Sequence, residues 1–81
     1  MNSNENFLDF QVKFLDIIMC PISLSTIEDP VILIPSGQIY DRKSIEAWLK
    51  KSNKDPVTNM KLPFAKLHPI RMLKDVIDLL K

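Results

Sequence analysis

The lone cysteine and the lone histidine of this sequence are the first candidates for a nucleophile and a general base, and neither has the neighbours that such chemistry needs. Cys20 is the only cysteine and His68 the only histidine. A thioester-forming cysteine needs a partner that draws its thiol pKa down, yet Cys20 stands among Ile18, Met19 and Pro21 and reads as a small buried filler. His68 adjoins Pro69 near an expected helix start, so no serine-histidine-acid set assembles around it, and it reads as a solvent-facing or capping residue. One cysteine and one histidine fall short of the four ligands of a structural zinc site, so no metal is expected. Gly37 is the sole glycine, which excludes the glycine-rich loops that cradle phosphates, and no cofactor is expected. The residues do not support a self-contained catalyst.

Binding chemistry has better candidates. Ile22 and Leu24 stand in Met19-Cys20-Pro21-Ile22-Ser23-Leu24, and Pro56 and Val57 open Pro56-Val57-Thr58-Asn59-Met60-Lys61-Leu62-Pro63; both segments are unusually apolar for loops. These side chains either form one exposed patch or fill a small core, and the residues alone leave both readings open. Trp48, at helical spacing with Ile45 and Leu49, faces the same choice.

The elements that must hold these loops follow from periodicity and breakers. Asn6 is read as the cap of a helix in which Phe7, Phe10, Phe14 and Ile17 recur at three- and four-residue steps, ending before Pro21. Val31-Ile32-Leu33-Ile34 and Gln38-Ile39-Tyr40 flank Pro35-Ser36-Gly37 and predict a hairpin. Asp41 then sits at an N-cap position before a helix carrying Ile45, Trp48 and Leu49 on one face, with Glu46 and Lys50 four residues apart. Lys51-Ser52-Asn53-Lys54-Asp55-Pro56 is rich in turn residues and leads into the second loop. Pro69 is expected to open a last helix with Leu73, Val76, Ile77 and Leu80 inward and Arg71, Lys74, Asp75 and Asp78 in water. The expected class is α+β: two loops, a hairpin and a central helix between flanking N- and C-terminal helices.

Composition sets the outer limits. The 81 residues, 46% of them apolar, suit one small domain. A chain of this size buries only about 60% of its unfolded surface. With disulfide and metal set aside, polar contacts must supply extra fastening. Eleven basic and ten acidic residues, scattered along the chain, give a net charge of +1. That balance gives no reason to expect a nucleic acid partner, and Lys50, Lys51, Lys54, Lys61 and Lys66 read as a solvated face. No apolar run approaches the roughly 18 residues that span a bilayer, and Met1-Asn2-Ser3-Asn4-Glu5 lacks the basic start of a secretory signal, so no membrane association and a reducing cytoplasmic or nuclear setting are expected. No internal repeat is apparent.

Taken in order, Cys20-Pro21-Ile22, Asp29-Pro30-Val31, Ser36-Gly37, Tyr40-Asp41-Arg42, Ile45, Trp48-Leu49, Asp55-Pro56-Val57-Thr58 and Leu62 resemble the U-box consensus over residues 18–80, with residues 1–17 as an N-terminal helical extension and 18–81 as the domain. The resemblance implies a RING-like fold in which hydrogen bonds and salt bridges replace two zinc ions. It implies Ser23, Glu28, Asp41, Arg42, Thr58 and Lys61 as candidates for that network. It also implies a ubiquitin-protein ligase module, with a ubiquitin-conjugating enzyme docked on Ile22, Leu24, Trp48, Pro56 and Val57, Ile22 as anchor, and ubiquitin passing to a substrate lysine without a covalent intermediate.

Three positions depart from the pattern. In many relatives an arginine follows the Pro-Val-Thr triplet and donates hydrogen bonds to ubiquitin and the enzyme; here the position is Asn59, which lacks the charge and the fork. Ile70 stands where asparagine is frequent, and Ile34 lengthens the hairpin. Asn59 keeps open a rival reading, a binding or dimerisation module without ligase activity. The Phe7-Phe10-Phe14 face could cover the domain's own core, the expected choice, or pair with another copy, or hold a substrate.

Overall fold

The computed structural model describes the backbone of residues 3–80 and the side chains of residues 8–80; Phe7 lies outside the described side chains. Six elements run in the order α1 (Ser3–Ile17), β1 (Pro30–Ile34), β2 (Ile39–Asp41), α2 (Arg42–Leu49), β3 (Lys66–Pro69) and α3 (Arg71–Leu79). The fold is α+β, as the sequence predicts.

The sheet has the order β2-β1-β3, antiparallel throughout. β1 can sit in the middle because Val31 and Leu33 are buried while Ile32 and Ile34 are half-buried, a strand with apolar residues toward both faces. Ser36-Gly37 turns the chain into β2, with the Gly37 N–H donating to the Leu33 carbonyl at 2.7 Å. Gly37 has φ +79°, a conformation that costs a side-chain-bearing residue and not glycine. The third strand was not expected. Lys66-Leu67-His68-Pro69 carries one apolar residue and no alternation of its own, and it becomes a strand because β1 offers it an edge, with Ile32 opposite His68 and Leu33 opposite Leu67. Pro69 is therefore the end of an edge strand, where its missing N–H is harmless, and does not open the last helix; that helix begins at Arg71 after Ile70, whose N–H donates to the Pro30 carbonyl at 3.1 Å.

The core comprises Ile18, Cys20, Ile27, Val31, Leu33, Tyr40, Ile45, Leu62 and Ile77, with Phe14, Ile22, Trp48, Leu49, Leu67 and Leu73 packed against it. Each helix contributes less than its apolar count suggests. From α3 only Ile77 is fully buried and Leu73 half-buried, while Val76 and Leu80, expected inward, are exposed. α1 begins before Asn6, which stands inside the helix and cannot be its cap. Its Phe14 reaches the core, and Phe10 stacks on Phe14 with ring centroids 6.0 Å apart yet remains 61% exposed. In α2 the expected Glu46–Lys50 pair does not form, because the helix ends at Leu49; Glu46 instead faces Arg42 at 3.9 Å.

Candidate docking surface

The two apolar loops are copies of one small backbone unit. In the first, the Cys20 N–H donates to the Ser25 carbonyl at 2.8 Å, and the Leu24 N–H donates back to the Cys20 carbonyl at 2.8 Å. In the second, the Asp55 N–H donates to the Met60 carbonyl at 2.8 Å, and the Asn59 N–H donates back to the Asp55 carbonyl at 2.9 Å. Each unit is closed by a short antiparallel bridge, Met19 to Thr26 and Lys54 to Lys61. Each also turns on a residue of positive φ, Leu24 at 57° and Asn59 at 62°. Cys20-Pro21-Ile22-Ser23-Leu24 thus matches Asp55-Pro56-Val57-Thr58-Asn59 position for position, a repeat within the fold that the sequence does not announce. Asparagine adopts this left-handed conformation readily, whereas for leucine it is strained, and Leu24 nevertheless holds its side chain 73% exposed.

The first residue of each unit is a buried acceptor. Asp55, 1% exposed, receives Ser36 Oγ at 2.8 Å and Tyr40 OH at 2.9 Å on Oδ1, and the N–H groups of Val57 at 2.9 Å and Thr58 at 2.7 Å on Oδ2. Burial pushes this carboxyl up, but the donors from Thr58, Ser36, Tyr40 and Val57 together outweigh it and hold its pKa below the usual carboxylate range. Tyr40 is raised above the ordinary phenol value, first by burial and then by the hydrogen bond and negative charge of Asp55. Cys20 plays the same part in the first loop. Its Sγ accepts the Asp41 N–H at 3.4 Å, and the Ser23 and Ile22 N–H groups also approach it. Burial raises the thiol, but these donors bring its pKa below the ordinary value, so the sequence-based view that nothing lowers it is corrected; with no exposure, the thiol remains a filler.

The pH dependence of stability follows. Asp55 has a folded pKa below its unfolded value near 3.9, so its contribution is present above about pH 4 and is lost as pH falls through the depressed folded pKa. Tyr40 has a folded pKa above its unfolded value near 10, so its contribution is present below about pH 10 and is lost as pH rises beyond. Urea midpoints are expected to hold level between these limits and fall outside both. Tyr40→Phe should remove part of the alkaline fall, and Asp55→Asn part of the acid fall; unchanged slopes in both variants would count against the coupling.

A second set of polar contacts ties Glu28 and Asp29, just before β1, to the start of α2. Asp41 stands at the N-cap with extended backbone but makes no side-chain cap bond; its Oδ1 instead accepts the N–H groups of Glu28 and Asp29, both at 3.0 Å. Arg42 Nε donates to Asp29 Oδ2 at 2.8 Å, and the Arg42 N–H to the Asp29 carbonyl at 3.0 Å. From the other side, Trp48 Nε1 donates to the Lys54 carbonyl at 2.6 Å, which fixes the indole against the start of the second loop. Between the first loop and α2 lies a groove of about 270 Å³ lined by Ile22, Ser44, Ala47, Trp48 and Lys51.

A protein-family model for the U-box domain matches residues 15–80. The chain belongs to the U-box family. It is 40% identical over 73 residues to the E3 ubiquitin-protein ligase PUB23 of Arabidopsis thaliana, covering 88% of this chain and 18% of that protein. It is 40% identical over 69 residues to PUB24 of the same plant, covering 84% of this chain and 15% of that protein. It is 41% identical over 64 residues to the human WD repeat, SAM and U-box domain-containing protein 1, covering 78% and 13%. The chain therefore spans less than a fifth of the length of these curated relatives.

On this U-box scaffold the residues marked from the sequence fall into place unevenly. Ile22 and Trp48 share the groove. Leu24 and Val57 are exposed and Pro56 is half-buried, each on its loop and outside the groove's lining. Among the polar candidates, Asp41 and Arg42 join Glu28 and Asp29, just before β1, to α2, and Thr58 donates its N–H to Asp55 while its Oγ1 accepts the Met60 N–H at 3.2 Å. Ser23 meets Ser25 within its own loop at 2.9 Å, Glu28 takes part through its backbone, and Lys61 bridges Lys54 through the backbone. Asp55, Ser36 and Tyr40 were missed as network residues, and Ser44, Ala47 and Lys51 as groove residues. The last three recur at three- and four-residue steps with Trp48, a signal on the outer face of α2 that attention to Ile45 and Leu49 obscured. Among the described residues no three His, Cys, Asp or Glu side chains gather to hold a metal ion, and no helix is long and apolar enough to cross a membrane.

Proposed function

We propose that this U-box is a ubiquitin-ligase module that docks a ubiquitin-conjugating enzyme on Ile22 and Trp48, with Leu24, Pro56 and Val57 extending the contact along the two loops. The observation that carries this reading is the groove itself. An aliphatic anchor and an indole fixed by a hydrogen bond stand together between a loop and a helix, both half-buried, in a family whose named relatives include E3 ubiquitin-protein ligases. The module has no nucleophile of its own in use, Cys20 being buried, so its contribution is positional. It holds the charged enzyme and favours the arrangement in which a substrate lysine attacks the thioester carbonyl; the isopeptide bond forms and the enzyme's thiolate leaves. The polar contacts of Asp41, Arg42, Thr58 and Asp55, with Ser23, Glu28 and Lys61 beside them, act as the fastening that zinc provides in RING fingers.

Asn59 supports the second reading, a module that docks but stimulates poorly. It holds the left-handed corner of the second loop, where asparagine suits the backbone and arginine costs about 1 kcal/mol. Arginine would in exchange supply charge and five donors at the loop tip. Lysine discharge from a ubiquitin-charged conjugating enzyme tests both readings. Wild type is expected to accelerate loss of the thioester, and Asn59→Arg to raise the rate further at saturating domain while lowering the urea midpoint slightly. If neither protein accelerates discharge while the charged enzyme still binds, the module is a binding domain. If neither binds, the ligase reading fails for that enzyme.

A further inference from the structure

We infer that Lys51 selects among conjugating enzymes: the groove takes one that brings a carboxylate to Lys51 and turns away one that brings a basic side chain there. The inference rests on the ligase reading of the groove and adds to it the charge of the partner's surface. Ile22, Ser44, Ala47 and Trp48 line the groove without charge, and Lys51 completes the lining. Ser44, Ala47, Trp48 and Lys51 follow one another at three- and four-residue steps, so Lys51 stands at the end of the stripe that a docked partner covers. Lys51 is exposed, and the chain does not neutralise it. Among the described residues the ion pairs join Lys13 to Asp9, Arg42 to Asp29 and Glu46, and Lys74 to Asp78.

The charge around the groove differs from that of the whole chain. From Arg42 to Lys54 there are five basic residues, Arg42, Lys43, Lys50, Lys51 and Lys54, and one acidic residue, Glu46; this stretch carries +4 in a chain of net +1, which leaves −3 for the rest. Glu46 does not offset the lysines, because it faces Arg42 at 3.9 Å. Helix geometry accounts for some of this excess. Lys50 and Lys51 follow the last residue of α2, where a cation suits the helix dipole. Lys43 has no such reason, since it lies in the first turn, where the dipole disfavours a cation. A positive field over an apolar groove speeds the approach of a surface that carries carboxylates and slows that of a basic one. Docking also takes water from around Lys51; a carboxylate replaces the lost hydration, whereas an apolar or basic surface does not.

Lysine discharge from a ubiquitin-charged conjugating enzyme, measured against domain concentration, tests this. Lys51→Met keeps most of the stem and removes the charge, and should raise the half-maximal domain concentration about two- to fivefold; Lys51→Glu, which turns attraction into repulsion, should raise it at least tenfold. Raising ionic strength from about 0.01 M to about 0.15 M shortens the screening length from about 30 Å to about 8 Å. The half-maximal concentration of wild type should rise with it, and that of Lys51→Met by a smaller factor. When exposed carboxylates of the enzyme are reversed to lysine one at a time, one reversal should weaken wild type and restore discharge by Lys51→Glu, a rescue that a merely structural lysine does not give. The inference is overturned if Lys51→Glu acts at the wild-type concentration, or if no reversal restores it. Equal impairment in Lys51→Met and Lys51→Glu overturns it as well, because the stem and not the charge is then in use. If Lys51→Glu does not fold, the salt dependence of wild type against Lys51→Met decides, and equal slopes overturn it. Wild type that stimulates no conjugating enzyme sinks the ligase reading and this inference together, whereas wild-type discharge with an indifferent Lys51→Glu removes this inference alone.

Discussion

Replacing Asp55 by alanine is expected to destabilise the domain by about 3–5 kcal/mol, most of what a chain of this size has to lose. The magnitude follows from what the carboxylate does. It is buried, and four separate groups donate to its two oxygens: two side-chain hydroxyls from the hairpin and two backbone N–H groups from its own loop. Alanine removes the acceptor and leaves every donor in a site from which water is excluded, and each orphaned donor costs about 1–3 kcal/mol before any relaxation. Asp55→Asn should cost less, about 1–2 kcal/mol. Its oxygen can keep the two backbone donors while Ser36 and Tyr40 rotate their hydroxyls to accept from the new amide. Urea denaturation followed by far-ultraviolet circular dichroism gives the order wild type, Asp55→Asn, Asp55→Ala; an alanine variant within about 1 kcal/mol of wild type would show that water reaches these donors and that the carboxylate is not a structural hub.

That hub was the least legible part of the sequence. Asp55 precedes a proline in a run of turn-forming residues, and every local signal around it says loop. Its hydroxyl partners, Ser36 and Tyr40, are 19 and 15 residues upstream, and only the hairpin's docking on the second loop brings them within reach. Asp41 was visible at its position, and the family resemblance made it a candidate for the polar network: the spacing set it at the start of α2, while its carboxylate accepts the N–H groups of Glu28 and Asp29 just before β1, a choice made by tertiary contact. β3 was invisible for the same reason, since a strand with one apolar residue exists only because β1 has a free edge. Where periodicity is strong and local, as in the hairpin and the central helix, the expected and observed elements agree within a residue or two. Where an element is defined by its partner, they diverge.

The five-residue repeat explains why so little sequence can define the two loops of the proposed docking surface. One backbone unit, used twice, presents Ile22 and Val57 at equivalent corners and ends on equivalent left-handed residues, Leu24 and Asn59. The first residue differs, a thiol in one unit and a carboxylate in the other, but both collect N–H groups from the following turn. The repeat escapes sequence inspection because hydrogen-bonding pattern, not residue identity, is what the two loops share. It follows that the two units divide the labour: the second, centred on Asp55, fastens the fold, and the first places Ile22 in the groove.

Ile22→Ala should then separate docking from folding. Ile22 is half-buried, so truncation is expected to cost about 1–2 kcal/mol of stability, less than for a core isoleucine. As the anchor of the groove it should also cost about 2 kcal/mol or more of binding, raising the domain concentration needed for half-maximal lysine discharge more than tenfold. The stability loss alone cannot produce that shift while the domain stays folded. Ile32→Ala supplies the control: it also truncates a half-buried isoleucine, on β1 and outside the groove, and should lower the urea midpoint comparably with discharge unchanged. The form of the defect distinguishes the two loops. Loss of the anchor weakens docking and is overcome by more domain, whereas a change at Asn59 alters the rate that remains when docking is saturated. If Ile22→Ala discharges as wild type does at low domain concentration, the conjugating enzyme does not use this groove. If it fails even at saturation while folded, Ile22 shapes the activated complex rather than holding it.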